Sequence, residues 1–315
     1  MHYPLSYCTN VHPCRSRHDL ERIITEEASS VRDQCGFDIG IGLWLPSVVV
    51  SEVAHDFAAT QSIANALNDQ GLQCYSLNAF PFGDFHSERV KENVYLPDWS
   101  DARRLDYTRS CSKFLAGILS GEHEGSISTL PLAYKQATRS ENFIKTVVEQ
   151  FMQLARDLNA LHQDTGKMIR LAIEPEPFCI LETTLETIRF FEMMWDVADK
   201  NGCGDLVREH IGVCYDVCHQ AVEFEDAVTA VRQMATAGVR INKVQISCAI
   251  ELDDPSDEKS RRALATFAEP RYLHQTFGKH RDGQIICNPD LSQELALHPP
   301  SDWQEAEVWR VHFHV

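Results

Sequence analysis

Glu174 closes the apolar run Leu171-Ala172-Ile173, and Asp216, with His219 three residues on, closes a second run from Ile211 to Tyr215. A fully buried strand of a parallel sheet reads as such a run, and the residue just past its carboxyl end faces the mouth of the sheet. The two acids are about 40 residues apart, enough for one helix and two loops between neighbouring parallel strands. Gln245 lies within a third run, Lys243 to Ser247, and adds an oxygen donor one strand further on. Carboxylates and an amide oxygen suit Mg2+ or Mn2+, and an imidazole from His219 brings Co2+ or Zn2+ into range.

Other residues are candidates for the same pocket. Glu176, in Glu174-Pro175-Glu176-Pro177, is kept extended by the prolines and is read either as a substrate contact or as a solvated loop carboxylate. His312 and His314 alternate, so on a strand both would face one side, where they would share a metal or substrate or simply be exposed. His12, His86 and His274-Gln275 are histidines that serve a pocket or lie satisfied at the surface. Cys214 and Cys218 flank Asp216, but no second pair completes a four-ligand zinc site, and they read as small buried hydrophobes.

The elements that must position these residues form a repeat. β-like runs alternate with amphipathic segments along the chain, a rhythm that predicts an α/β barrel of seven or eight βα units in one domain spanning residues 1–315. Strands are expected at 3–9, 37–45, 72–77, 126–130, 168–173, 211–216 and 240–247. Helices are expected between them, with Ser16, Ser51 and Ser140 as N-caps and Gly36, Gly71, Gly166 and Gly238 as stops. Beyond the seventh strand, residues 255–267 read as helix, 269–289 as loop and 308–315 as strand. That last run has no cap, turn or helix after it, so the chain reads as a truncated form of a longer protein. Residues 78–99 carry Phe80, Phe82, Phe85, Tyr95 and Trp99 without periodicity, the composition of a packed lid or pocket wall.

The chain has 315 residues and a formal net charge of −17, a field that repels phosphate backbones and anionic membrane surfaces. Nucleic acid is therefore not expected as a partner, and phosphodiester cleavage, which needs a basic track, is the least favoured activity. No run is long enough to span a membrane and the amino terminus lacks the form of a signal peptide. Eleven scattered cysteines fit reduced thiols in the cytoplasm.

The strands ending in Glu174 and in Asp216-Val217-Cys218-His219 resemble the xylose-isomerase-like TIM barrels, a superfamily of sugar isomerases, ketose epimerases and endonuclease-IV-type enzymes. Tyr7 to Pro13 (YCTNVHP), Asn78 to His86 (NAFPFGDFH), Val94 to Trp99 (VYLPDW), Ile127 to Pro131, Ala172 to Pro177 (AIEPEP), Arg271 to Gln275 (RYLHQ) and His312 to Val315 (HFHV) resemble the EboE-type metabolite-traffic proteins along nearly the whole chain. The resemblance implies a (β/α)8 TIM barrel with Glu174 and Asp216 as direct metal ligands. His219 then corresponds to a residue that binds metal in some relatives and substrate in others, and Gln245 stands where many epimerases place a histidine ligand. EboE-like chains run longer, and the implied fourth ligand lies on a further strand.

Two functional classes follow. One is a metal-dependent isomerase or epimerase of a small hydroxylated carbonyl metabolite, with Glu174 as ligand and base, His219 on a substrate oxygen, and Lys243 or Lys135 stabilising developing charge. His12, Asn78, Phe82, His86, Glu176, Lys243 and His314 are its expected substrate contacts. The other is a protein that binds and hands on a metabolite without turnover, for which the aromatic stretch favours a flat apolar ligand.

Overall fold

A computed structural model describes residues 5–121 and 123–313. Among these, seven strands form one parallel sheet in chain order: β1 (Ser6–Cys8), β2 (Gly40–Trp44), β3 (Cys74–Asn78), β4 (Gly125–Thr129), β5 (Ile169–Ile173), β6 (Ile211–Asp216) and β7 (Ile241–Gln245). β2, β5 and β6 are buried at every position, which is why their sequences show continuous apolar runs instead of alternation. The sheet is curled. Lys243 on β7 donates to Ser128 on β4 at 3.0 Å, although three strand spacings of a flat sheet, about 14 Å, would separate those strands. β1 and β7 are the edges of this wall.

Helices cover its outer face. That over Phe143–Thr165 buries Phe143, Val147, Phe151, Leu154 and Leu158 at helical spacing and stops at Gly166, whose φ of 70° suits a residue without a Cβ. Thr183 and Glu186 form a reciprocal capping box for Thr184–Lys200. Where one helix was expected from Ser51 to Gly71, there are two. Ser51 lies inside Ser47–Ala54, and the second helix, Phe57–Asp69, is capped by Asp56, which accepts from Ala58 N and Ala59 N at 2.8 and 3.2 Å. Asn142, not Ser140, holds the N-cap position of the long helix.

The carboxyl-terminal third departs most from expectation. β8 (Ile250–Leu252), β9 (Thr276–Lys279), β10 (Ile285–Asn288) and β11 (Val308–Val311) form an antiparallel sheet in the order β10-β9-β11-β8. The segment 269–289, read as loop, contains β9 and β10. Their hairpin turns at Asp282-Gly283, with Gly283 at φ 90°, a turn signal present in the sequence. The helix expected over 255–267 is Glu258–Ala265. The strand expected over 308–315 ends at Val311 and pairs with β8 and β9 instead of extending the barrel. This sheet has its own apolar cluster around Leu252, Leu264, Trp303 and Trp309. It meets the barrel where Phe277 packs with Cys218 and Val222.

Candidate metal centre and cavity

Ile173 pairs with Thr129 and Val213, and Asp216 pairs with Gln245. This register brings the residues after β5, β6 and β7 to one end of the wall. Asp216 also caps the short helix Val217–Val222, its Oδ1 accepting from Cys218 N and His219 N at 2.8 and 3.2 Å. The cap turns the chain so that His219 comes back over the strand end, with Nε2 4.0 Å from Asp216 Oδ2 and Nδ1 4.0 Å from Glu174 Oε1. Gln245 Nε2 donates to Glu174 Oε1 at 2.6 Å and to Asp216 Oδ2 at 2.9 Å.

One ligand atom from each of Glu174, Asp216 and His219 falls within 4.8 Å of the others. Glu174 Oε2 is buried with no hydrogen-bond partner, a costly state for a carboxylate oxygen unless a cation completes it. His219 Nδ1 lies 2.8 Å from the Pro175 carbonyl. A carbonyl only accepts, so Nδ1 carries a proton, and Nε2 is the nitrogen that faces Asp216 Oδ2. The donor set therefore fits a divalent ion: two carboxylates, one oriented imidazole, and Gln245 able to offer its amide oxygen after a half-turn.

The electrostatics follow from burial and neighbours. Burial pushes Glu174 up to about 7, with His219 opposing and Asp216 reinforcing the rise. Burial also acts to raise Asp216, but His219, Ser247 and Gln245 overcome it and hold Asp216 below the usual carboxylate range. Burial alone would lower His219; Asp216, Glu176 and Glu174 reverse this and raise it. Without a bound cation Glu174 thus lies between protonation states near neutrality.

Glu176 is buried, not solvated. Its Oε1 accepts from Tyr95 Oη at 2.8 Å and Gln275 Nε2 at 3.1 Å, and burial raises its pKa. A cavity of about 80 Å3 opens between these acids and is walled also by Asn78, Phe80, Phe85, Lys91, Tyr95 and Tyr272. The stretch 78–99 is the packed wall its composition implied, with Phe80, Tyr95 and Trp99 buried. Lys91 ties it down, donating to Glu269 O, Tyr272 O and Asp290 Oδ2 at 3.0, 2.5 and 2.6 Å.

Of the expected contacts, Asn78 and Glu176 reach this cavity together with Glu174, Asp216, His219 and Gln245. Lys243 lies one layer below Gln245, bonded to Ser128. Three others stand outside the walls: Phe82 packs on Tyr107, His12 bonds Tyr7 Oη at 2.7 Å, and His86 bonds Asn10 O at 2.8 Å. Lys135 is engaged by Glu182 and Glu186. Cys214 and Cys218 are buried. His314 lies outside the described residues. His312, beyond the end of β11, is buried with its ring 4.5 Å from that of His219. Ser247, whose Oγ donates to Asp216 Oδ1 at 2.5 Å, and Lys91 were not singled out in the sequence. A serine two residues past Gln245 was the available signal for the first.

No protein-family model matches the chain, and no curated protein matches it. Solved structures do. A xylose isomerase-like TIM barrel protein from Mycobacterium smegmatis, in complex with magnesium, matches over 81% of this chain and 78% of its own, at 12% identity and a TM-score of 0.52. The fold is that of a xylose isomerase-like TIM barrel. A family 2 AP endonuclease from Brucella melitensis is similar over 78% of this chain and 80% of its own (17% identity, TM-score 0.47). The IOLI protein with a bound zinc atom is similar over 75% and 70% (12% identity, TM-score 0.44).

Proposed function

We propose that this chain is a metal-dependent isomerase or epimerase of a small hydroxylated carbonyl metabolite. The observation that carries the reading is the convergence of Glu174, Asp216 and His219 on one point, with Glu174 Oε2 buried and lacking a partner. Glu174, Asp216, His219 and Gln245 would hold Mn2+, Mg2+, Co2+ or Zn2+. A bound ion would polarise substrate carbonyl and hydroxyl oxygens and make the adjacent C–H more acidic. Proton movement falls to the protein: Glu174, at the mouth of the sheet on the cavity wall, accepts the proton from carbon. Glu176 supplies the second carboxyl group on the same cavity, where Tyr95 and Gln275 fix its orientation. Asn78 is placed to hold a substrate oxygen. A cavity of about 80 Å3, against roughly 300–1,000 Å3 for drug-sized ligands, favours a compact substrate.

The reading treats residues 1–315 as one domain, because Gln275 and His312, flanking strands of the second sheet, touch the cavity residues Glu176 and His219. The EboE-like segments support a place in secondary-metabolite traffic, and the odd, scattered cysteines support the cytoplasm. No helix of the described residues is long and apolar enough to cross a membrane. Phe80, Phe85 and Tyr272 on the cavity wall support a second reading, binding of an aromatic metabolite without turnover.

Turnover of a ketose panel by Mn2+-loaded protein, lost in a folded Glu174→Gln variant, is the expected result. Metal-replete protein inert on every sugar, yet binding an aromatic metabolite unchanged, would select the second reading.

A further inference from the structure

The geometry points to Arg271 as an anion anchor at the mouth of the cavity, and so to a substrate whose hydroxycarbonyl end enters while a carboxylate or phosphate at its other end stays outside. The inference rests on the isomerase or epimerase reading for which end reacts, and adds to it the class of substrate.

Exposure marks the opening. Glu174, Glu176, Asp216, Phe80 and Tyr95 on the cavity wall are buried, whereas Asn10, Phe85, Tyr272 and Leu273 are only half-buried. On that side the rings of Phe85 and Tyr272 lie 4.8 Å apart, and the Tyr272 hydroxyl donates to Phe85 O at 3.1 Å. Arg271 precedes Tyr272 and sets its Cζ 5.9 Å from the Tyr272 ring centroid, within cation–π range. Its backbone is fixed as well. Arg271 O accepts from Val90 N and Lys91 N at 2.9 and 2.8 Å, and Arg271 N donates to Glu269 Oε2 at 2.8 Å.

The acids around the mouth are already engaged. Asp84 pairs with Arg15 at 3.0 Å and Asp290 with Lys91 at 2.6 Å. Glu269 accepts from Arg271 N and Tyr272 N and lies 3.2 Å from His274 Nε2. Arg271 is left without an ion pair among the described residues. Its field reaches the neighbouring loop: burial lowers the pKa of His86, and the charges of Arg271 and Arg15 lower it further, against the pull of Asn10 O and Asp84.

Charge then fixes the direction of entry. Inside, Glu174, Glu176 and Asp216 repel an anion, while at the mouth a planar guanidinium offers two parallel N–H donors to the oxygens of a carboxylate or phosphate. The protein as a whole, at net charge −17, does not draw anions in from a distance. Selection for one must come from a short-range contact of this kind. The small interior need hold only the hydroxycarbonyl end.

The test is titration calorimetry of the Mn2+-loaded full chain with fructose, its terminal phosphate ester and fructuronate, which share the hydroxycarbonyl end and differ in charge at the other. One or both anions should bind tighter than fructose by about tenfold or more, and the tighter of the two tells phosphate from carboxylate. Arg271→Met should bring the ratio of anion to fructose affinity to near parity, Arg271→Lys should keep part of it, and added NaCl should shrink it in native protein. Arg271→Gln replaces the methionine variant if that one does not fold. Equal binding of all three by native protein, binding of neither anion, or an unchanged ratio in a folded Arg271→Met or Arg271→Gln variant would overturn the assignment. An Arg271-dependent ratio in a protein that turns over no sugar would instead sink the isomerase reading and leave the anchor standing.

Discussion

Gln245 donates one amide nitrogen to two carboxylates at once, Glu174 Oε1 at 2.6 Å and Asp216 Oδ2 at 2.9 Å. Two buried acids on neighbouring strands repel each other, and this nitrogen is their shared donor in the absence of an ion. Gln245→Leu should destabilise metal-free protein by about 1–3 kcal/mol, the cost of leaving buried polar groups unpaired. Urea denaturation in EDTA measures this, and saturating Mn2+ should recover part of the loss.

Ser247 acts on the centre through Asp216. Its hydroxyl donates to Asp216 Oδ1 while accepting from Cys218 N at 2.9 Å, so it fixes the carboxylate that caps the next helix. Ser247→Ala should weaken divalent-metal affinity by about tenfold, as loss of a ligand-orienting partner does. Chelator competition reads this directly, and an unchanged affinity would show that the helix cap suffices.

Glu223 should make the protein alkali-sensitive. Burial, and after it the charge of Glu182, push its carboxyl up to about 9 from an ordinary 4.5. The folded state therefore favours the protonated form. Its contribution to stability is complete below about pH 4.5, erodes as pH rises, and is lost once the carboxyl ionises above about 9. Glu223→Gln should flatten the fall in Tm between pH 5 and 9 and melt higher than native protein at pH 8.5.

Lys91 holds the cavity wall against the segment 269–272 and Asp290. Lys91→Met should cost about 1–3 kcal/mol and speed proteolysis between residues 83 and 89, where Gly83, Asp84, Glu88 and Arg89 are exposed. Cleavage at the native rate would mean that aromatic packing alone secures the wall.

Local chemistry made much of this protein legible in its sequence. Buried strands announce themselves as apolar runs, glycine stops and side-chain caps mark helix ends, and an acid just past a strand must face the sheet's mouth, so Glu174, Asp216, His219 and Gln245 could be grouped before any coordinates. The segment 269–289 could not be read so easily, because its strands are four residues long and owe their stability to partners distant in the chain. For the same reason only the tertiary structure separates a solvated Glu176 from a buried one, or sets His312 against His219. Those positions depend on the register of β9 and β11 and on how the second sheet packs over the barrel mouth, relations between remote residues that no local pattern encodes.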